Sequence, residues 1–155
     1  MRIQVTAIGR LKAGPELDLW KDYTSRFAKT GRALGLPAVD LVELDDRSGR
    51  GREAEAALIG KSLPAGAHVV ALDERGAQLT SPEFARLIAE RRDAAQDVVF
   101  VIGGADGIAP DLRDQANQLI SFGRMVWPHM LARVMLAEQL YRAATILAGS
   151  PYHRE

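Results

Sequence analysis

The sequence contains no cysteine. Disulfide bridges, thiolate metal sites and cysteine nucleophiles are therefore excluded. Its three histidines are scattered, with no His-Glu-x-x-His spacing, so nothing in the pattern coordinates zinc and no metal is expected. The Gly-x-Ser-x-Gly elbow of serine hydrolases is missing. No run of about twenty apolar residues occurs, so no membrane span is expected. The start, Met-Arg-Ile-Gln-Val-Thr-Ala-Ile, is too short and too alternating for a signal peptide, which makes the cytoplasm the expected compartment. Net charge is also lacking: 20 Lys and Arg balance 20 Asp and Glu. That counts against an ordinary nucleic-acid binder, which carries a basic surplus. A total does not report clustering, however, and clusters are what phosphates feel.

What is present is a globular composition: 155 residues, of which 47% are hydrophobic and 26% charged. This is enough for one domain with a core. Apolar runs alternate with helical patterns along the chain. Ile3 to Ile8 reads as a strand closed by Gly9, and Pro15 to about Lys29 as a helix with Leu19, Trp20, Tyr23 and Phe27 at helical spacing. Val39 to Leu44 is a second strand. A basic, glycine-bearing loop with Arg47, Arg50 and Arg52 leads into a helix from Glu53 to Leu63, ended by Pro64. His68 to Leu72 is a β-branched strand. Thr80, Pro82 and Glu83 open a helix running to about Ala94. Val98 to Ile102, apolar throughout, suits a central parallel strand covered on both faces. A helix from about Pro110 to Leu119, a short strand and loop from Ile120 to Trp127, and a long helix from Pro128 to Ala148 complete the pattern. Such alternation predicts an α/β fold with a mainly parallel sheet and helices on both faces.

Four places carry candidate chemistry. The turn Gly103-Gly104-Ala105-Asp106-Gly107 leaves a buried strand and enters a helix. It lets a ligand approach bare backbone or is a tight turn with no ligand; it has neither the dinucleotide fingerprint nor a phosphate-loop ending. Phe122 to Trp127, stopped by Pro128, supplies Phe122, Met125 and Trp127 either as walls for a flat ring or as core. The last helix is apolar nearly all round, which implies burial and, in so small a chain, a partner subunit. On it His129 and Arg133 share one face, and Glu138 and Arg142, also four apart, lie roughly opposite, as structural ion pairs or as site groups. Finally, Tyr152, His153 and Arg154 form either a nucleobase-binding tail or a solvated end.

Taken together, Ala71-Leu72-Asp73-Glu74-Arg75-Gly76, the Ser81-Pro82-Glu83-Phe84 helix start, Val99 to Gly107, Met125-Val126-Trp127-Pro128-His129, Glu138 to Ala143 and Pro151 to Glu155 resemble the SPOUT class of RNA methyltransferases. Within it they resemble the small bacterial enzymes acting on N3 of a pseudouridine in 23S ribosomal RNA. The resemblance covers the whole chain. It implies a C-terminal deep trefoil knot, a homodimer, the assembled ribosome as substrate, and S-adenosyl-L-methionine bound bent in the knot. The implied cofactor contacts are Leu72, Gly103, Phe122, Gly123, Arg124, Met125, Val126 and Trp127. For the chemistry, His129, Glu138 and His153 are the available bases. Tyr152, His153 and Arg154 are expected to hold the base, from the partner subunit if the tail crosses the dimer. His129 and Arg133 are expected to line the substrate side of the cofactor pocket, and Arg142 to stabilise negative charge. The alternatives are a non-catalytic knotted assembly factor and a phosphate or nucleotide binder using the glycine turn.

Overall fold

The computed structural model describes residues 1–45 and 51–154. Arg47 and Arg50 of the basic loop lie outside the described residues. Five strands, β1 (Ile3–Ile8), β2 (Val39–Leu44), β3 (His68–Ala77), β4 (Val98–Ile102) and β5 (Gln118–Ile120), pair in the order β2-β1-β4-β3-β5. Every pairing is parallel. The helices are α1 (Pro15–Gly31), α2 (Arg52–Ser62), α3 (Ser81–Asp93), α4 (Pro110–Gln115) and α5 (His129–Leu147).

Alternation within the strands sorts the core into two layers. Ile3, Val5, Ala7, Val98, Phe100 and Ile102 pack beneath α1, α3 and α5. Ile8, Val99, Val101, Val69 and Ala71 face the other way, against Ile59 of α2 and Leu112 of α4. The helices thus cover both faces, and parallel strands buried on both sides read as unbroken apolar runs. Two polar residues of β1, Gln4 and Thr6, are buried under α2. They satisfy each other at 2.8 Å, and Gln4 also donates to the Ser62 carbonyl. Helix starts follow local chemistry: Pro15 opens α1 with Glu16 and Asp18 in the first turn, and Thr80 with Glu83 forms a reciprocal capping box on α3.

Two boundaries differ from the sequence reading. The helix expected to reach Leu119 stops at Gln115, and Gln118–Ile120 is an edge strand. Asn117 decides this. Its side-chain oxygen accepts from the Val69 amide at 2.8 Å while its own amide donates to the Val69 carbonyl, so pairing with β3 outweighs one more helical turn. Strand β3 runs on to Ala77, because Leu72 and Ala77 both pair with Ile120 and residues 73–76 bulge outward between them. At Gly76 the two segments pass so closely that a Cβ would lie 2.6 Å from backbone atoms of Leu119 and Ile120. Only glycine fits there.

Candidate cofactor cleft and its surroundings

In a parallel sheet all strands end on the same side, and ligands collect there. The carboxyl ends of β3, β4 and β5 enclose a cleft made of two adjoining cavities, of about 380 and 150 Å³. The cavities share Leu72, Asp73, Glu74, Val126, Trp127 and Ala132 as walls. Gly103 and Gly104 line the larger, with His129 at its edge; Phe122, Gly123 and Met125 line the smaller. Of the residues the resemblance pointed to, Leu72, Gly103, Phe122, Gly123, Met125, Val126 and Trp127 therefore converge. Arg124 is exposed and does not line the cleft.

The glycine turn is built to present main chain. A Cβ at Gly103 would lie 2.7 Å from the Gly107 carbonyl oxygen, and one at Gly104 would lie 2.7 Å from the Glu55 carboxylate. Gly104 and Gly107 close the turn through an isolated bridge. A side chain is thus barred at Gly103, leaving bare backbone there beside the apolar walls Leu72, Ile102, Ile108 and Val126. Asp73 was not singled out from the sequence. Its side chain is only 5% exposed, accepts from the Arg75 amide at 2.9 Å, and has the Arg113 guanidinium 3.7 Å away. Because Arg113 belongs to α4, which follows the glycine turn, Asp73 links the Leu72 wall to the Gly103 wall.

The last helix separates the remaining candidates. His129, at its start, lines the cleft, with Nε2 close to the Gly9 turn. Arg133 does not line the cleft, contrary to expectation. It is 0% exposed and turned into the core, where Nη1 donates to Glu43 at 2.9 Å and Nη2 to the Ile8 and Gly9 carbonyls at 3.2 Å. Burial pushes its pKa down, against the pull of Glu43. A guanidinium matches three convergent oxygens at two strand ends, which helical spacing alone could not reveal.

Glu138, nine residues beyond His129, is about 13 Å further along the axis. It lies in a polar cluster closed by the tail. Arg142 donates to Glu138 at 2.7 Å, the Tyr152 hydroxyl donates to the same oxygen at 3.0 Å, and Arg142 Nη1 approaches His153 Nδ1 at 3.3 Å. The Arg142 guanidinium also lies 4.8 Å from the centre of the Tyr152 ring. Burial, then the Glu138 hydrogen bond, pushes the Tyr152 hydroxyl up to about 12. The Arg142 pKa is raised, chiefly by its hydrogen bond to Glu138. Arg154 is exposed. Within one chain, Glu138, Arg142, Tyr152 and His153 meet each other but do not line the glycine-turn cleft. Glu138 instead borders a third cavity of about 530 Å³ among α1, α3, α5 and residues 120–123. It is the largest of the three, but its walls are side chains such as Leu19, Tyr23, Phe84 and Met135, and it lacks the main-chain turn.

Among the described residues, no cluster of histidines and carboxylates could hold a metal ion, and no helix is long and apolar enough to cross a membrane.

The chain is similar to known proteins along its whole length. The chain is 66% identical over 99% of both chains to a protein of Cereibacter sphaeroides named ribosomal RNA large subunit methyltransferase H. It is 65% identical over the full length of both chains to the Paracoccus denitrificans protein of the same name. Among solved structures, a probable methylase family protein from Haemophilus influenzae superposes with a TM-score of 0.53 at 12% identity, covering 99% of this chain and 70% of that one; at that identity the match speaks to fold alone. The family model described as predicted SPOUT methyltransferase matches residues 1–153, and the chain belongs to that SPOUT methyltransferase family.

Proposed function

We propose that this chain methylates large-subunit ribosomal RNA, at N3 of a pseudouridine on the assembled ribosome, using S-adenosyl-L-methionine and acting as a homodimer in the cytoplasm. The observation that carries the reading is the convergence of Leu72, Gly103 and the Phe122–Trp127 loop on one cleft at the strand ends.

The cleft suits the cofactor. Main chain at Gly103 and in the loop before Pro128 can read an adenine edge, Leu72, Ile108 and Val126 can flank a ring, and Glu74 offers a carboxylate to a cationic, hydroxylated ligand. When bound, the group supplies a methyl activated on a sulfonium. The chain's own task is then alignment and proton handling. His129, at the cleft edge, is the residue we assign to accept the N3 proton.

The tail residues Tyr152, His153 and Arg154, with Arg142 and Glu138, are assigned to holding the target base. In one chain they lie away from the cleft, so the reading assigns them to the partner's cleft. Self-association is supported by the exposure of the large apolar side chains Met125 (74%), Val126 (84%), Leu19 and Leu131, since apolar groups left in water on a small chain favour an interface.

Titration calorimetry with S-adenosyl-L-methionine, followed by labelled methyl transfer to ribosomes lacking the modification, tests the proposal. Binding with transfer to a pseudouridine supports it. Binding without transfer to any ribosome would leave an assembly factor, and no binding would remove the cleft's assignment.

A further inference from the structure

A chain with no net charge has to meet a polyanion through a local surface. Most arginines near the cleft are already committed: Arg75 and Arg113 to Asp73, Arg133 to Glu43, and Arg52 to its neighbour Glu53. The turn after β1 is different. Arg10 and Lys12 are exposed there, and neither has a carboxylate partner among the described residues.

The turn that carries them is held at four points. Gly9 donates to the Leu44 carbonyl at 2.8 Å. Leu11, only 6% exposed, is sunk in the core, and its amide donates to Glu43 at 2.6 Å. Arg133 ties the Ile8 and Gly9 carbonyls to the same carboxylate. Glu43, the carboxylate in direct contact with the turn, has its charge taken up by Arg133. With Leu11 anchored inward, the residues on either side are turned to solvent, their Cα atoms within about 7 Å of each other. The turn abuts His129, because a Cβ at Gly9 would lie 3.8 Å from the imidazole Nε2. Two uncompensated cations on an immobilised turn therefore stand beside the mouth of the cleft.

We propose that Arg10 and Lys12 bind backbone phosphates of the substrate RNA next to the methylated base, and that the buried Glu43–Arg133 pair positions them. This rests on the function proposed above and adds the surface that grips the nucleic acid. A preformed turn loses little freedom on binding, and phosphate contacts fix register without reading sequence.

The test compares the full-length wild type with R10A/K12A, and with K29A/R32A, which removes equal charge from exposed positions at the far end of α1. Ribosome binding and methyl transfer are measured separately across salt, with cofactor affinity and Tm as controls. Each phosphate contact contributes nearly one unit to the slope of log affinity against log salt, so between about 50 and 200 mM salt the wild type should lose roughly tenfold more affinity than R10A/K12A. R10A/K12A should also show a raised ribosome KM with unchanged cofactor affinity, and K29A/R32A should match the wild type. Equal salt slopes in all three proteins, an equal loss in K29A/R32A, or no ribosome binding by the wild type would overturn the proposal. Binding with the expected slope difference but without methyl transfer would instead leave this surface standing and remove the enzymatic reading.

Discussion

Arg133 and Glu43, ninety residues apart in sequence, form a 2.9 Å ion pair in which the guanidinium is wholly buried. The pair joins the ends of β1 and β2 to the first turns of α5, and so fixes the helix start that carries His129. Removing one partner leaves a buried charge or its oxygens uncompensated. Arg133→Met and Glu43→Gln should each cost about 3–5 kcal/mol in urea unfolding, and the double variant should cost less than the sum. Strict additivity would mean that the two groups do not interact.

At the glycine turn, Gly103→Ala places a methyl against the Gly107 carbonyl, where a Cβ would lie 2.7 Å away. The turn must shift into the cleft. Cofactor affinity should fall by about tenfold or more, the loss of one or two main-chain hydrogen bonds, as read by calorimetry. Unaltered affinity would place the cofactor elsewhere.

Gly76→Ala meets two backbone segments and not a flexible side chain, so the strain cannot be relieved by a rotamer. The expected loss is about 3 kcal/mol, the upper end for overpacking, seen as a lower urea midpoint with an unchanged slope. A variant as stable as the wild type would show that β3 and β5 are not packed this tightly.

The capping box of α3 predicts a pH signature. Hydrogen bonds from the Thr80 backbone and side chain hold the Glu83 carboxyl below its ordinary value of 4.5. Its contribution is therefore complete above that value and disappears as pH falls through the lower, folded value. Glu83→Gln should be destabilised at neutral pH, with the difference closing in acid. Thr80→Ala should cost about 1 kcal/mol, or about 2–4 °C in Tm.

Tyr152 gives a signature at the other end of the scale. Its hydroxyl is pushed up to about 12 from an ordinary 10.0. A raised folded value means that tail docking is fully stabilising below 10 and is lost as pH climbs towards 12. Phenolate absorbance should show one of the three tyrosines titrating late. Glu138→Gln should bring that value only partway back, because burial is the larger cause.

Composition and periodicity by themselves determined the layered α/β plan. Val98 to Ile102 has no polar face to give to water, and proline, threonine and glutamate mark the starts of α1 and α3 where free amide groups need them. Local sequence marked the Gly103 turn and the Phe122–Trp127 segment but left them open between ligand site and turn or core; only the resemblance joined them with Leu72 into one cleft, since main-chain contacts leave little trace in side-chain identity.

Tertiary structure decided the rest. It turned Gln118–Ile120 into a strand, because Asn117 and Val69 exchange hydrogen bonds that no local window contains. It drew Arg133 inward to oxygens at two strand ends, though His129 four residues earlier lines the cleft, and it gathered Tyr152 and His153 onto Glu138 and Arg142, away from that cleft. Local sequence sets which torsions and which faces are favourable; where a buried charge finds its partners depends on which strand ends the chain has already brought together.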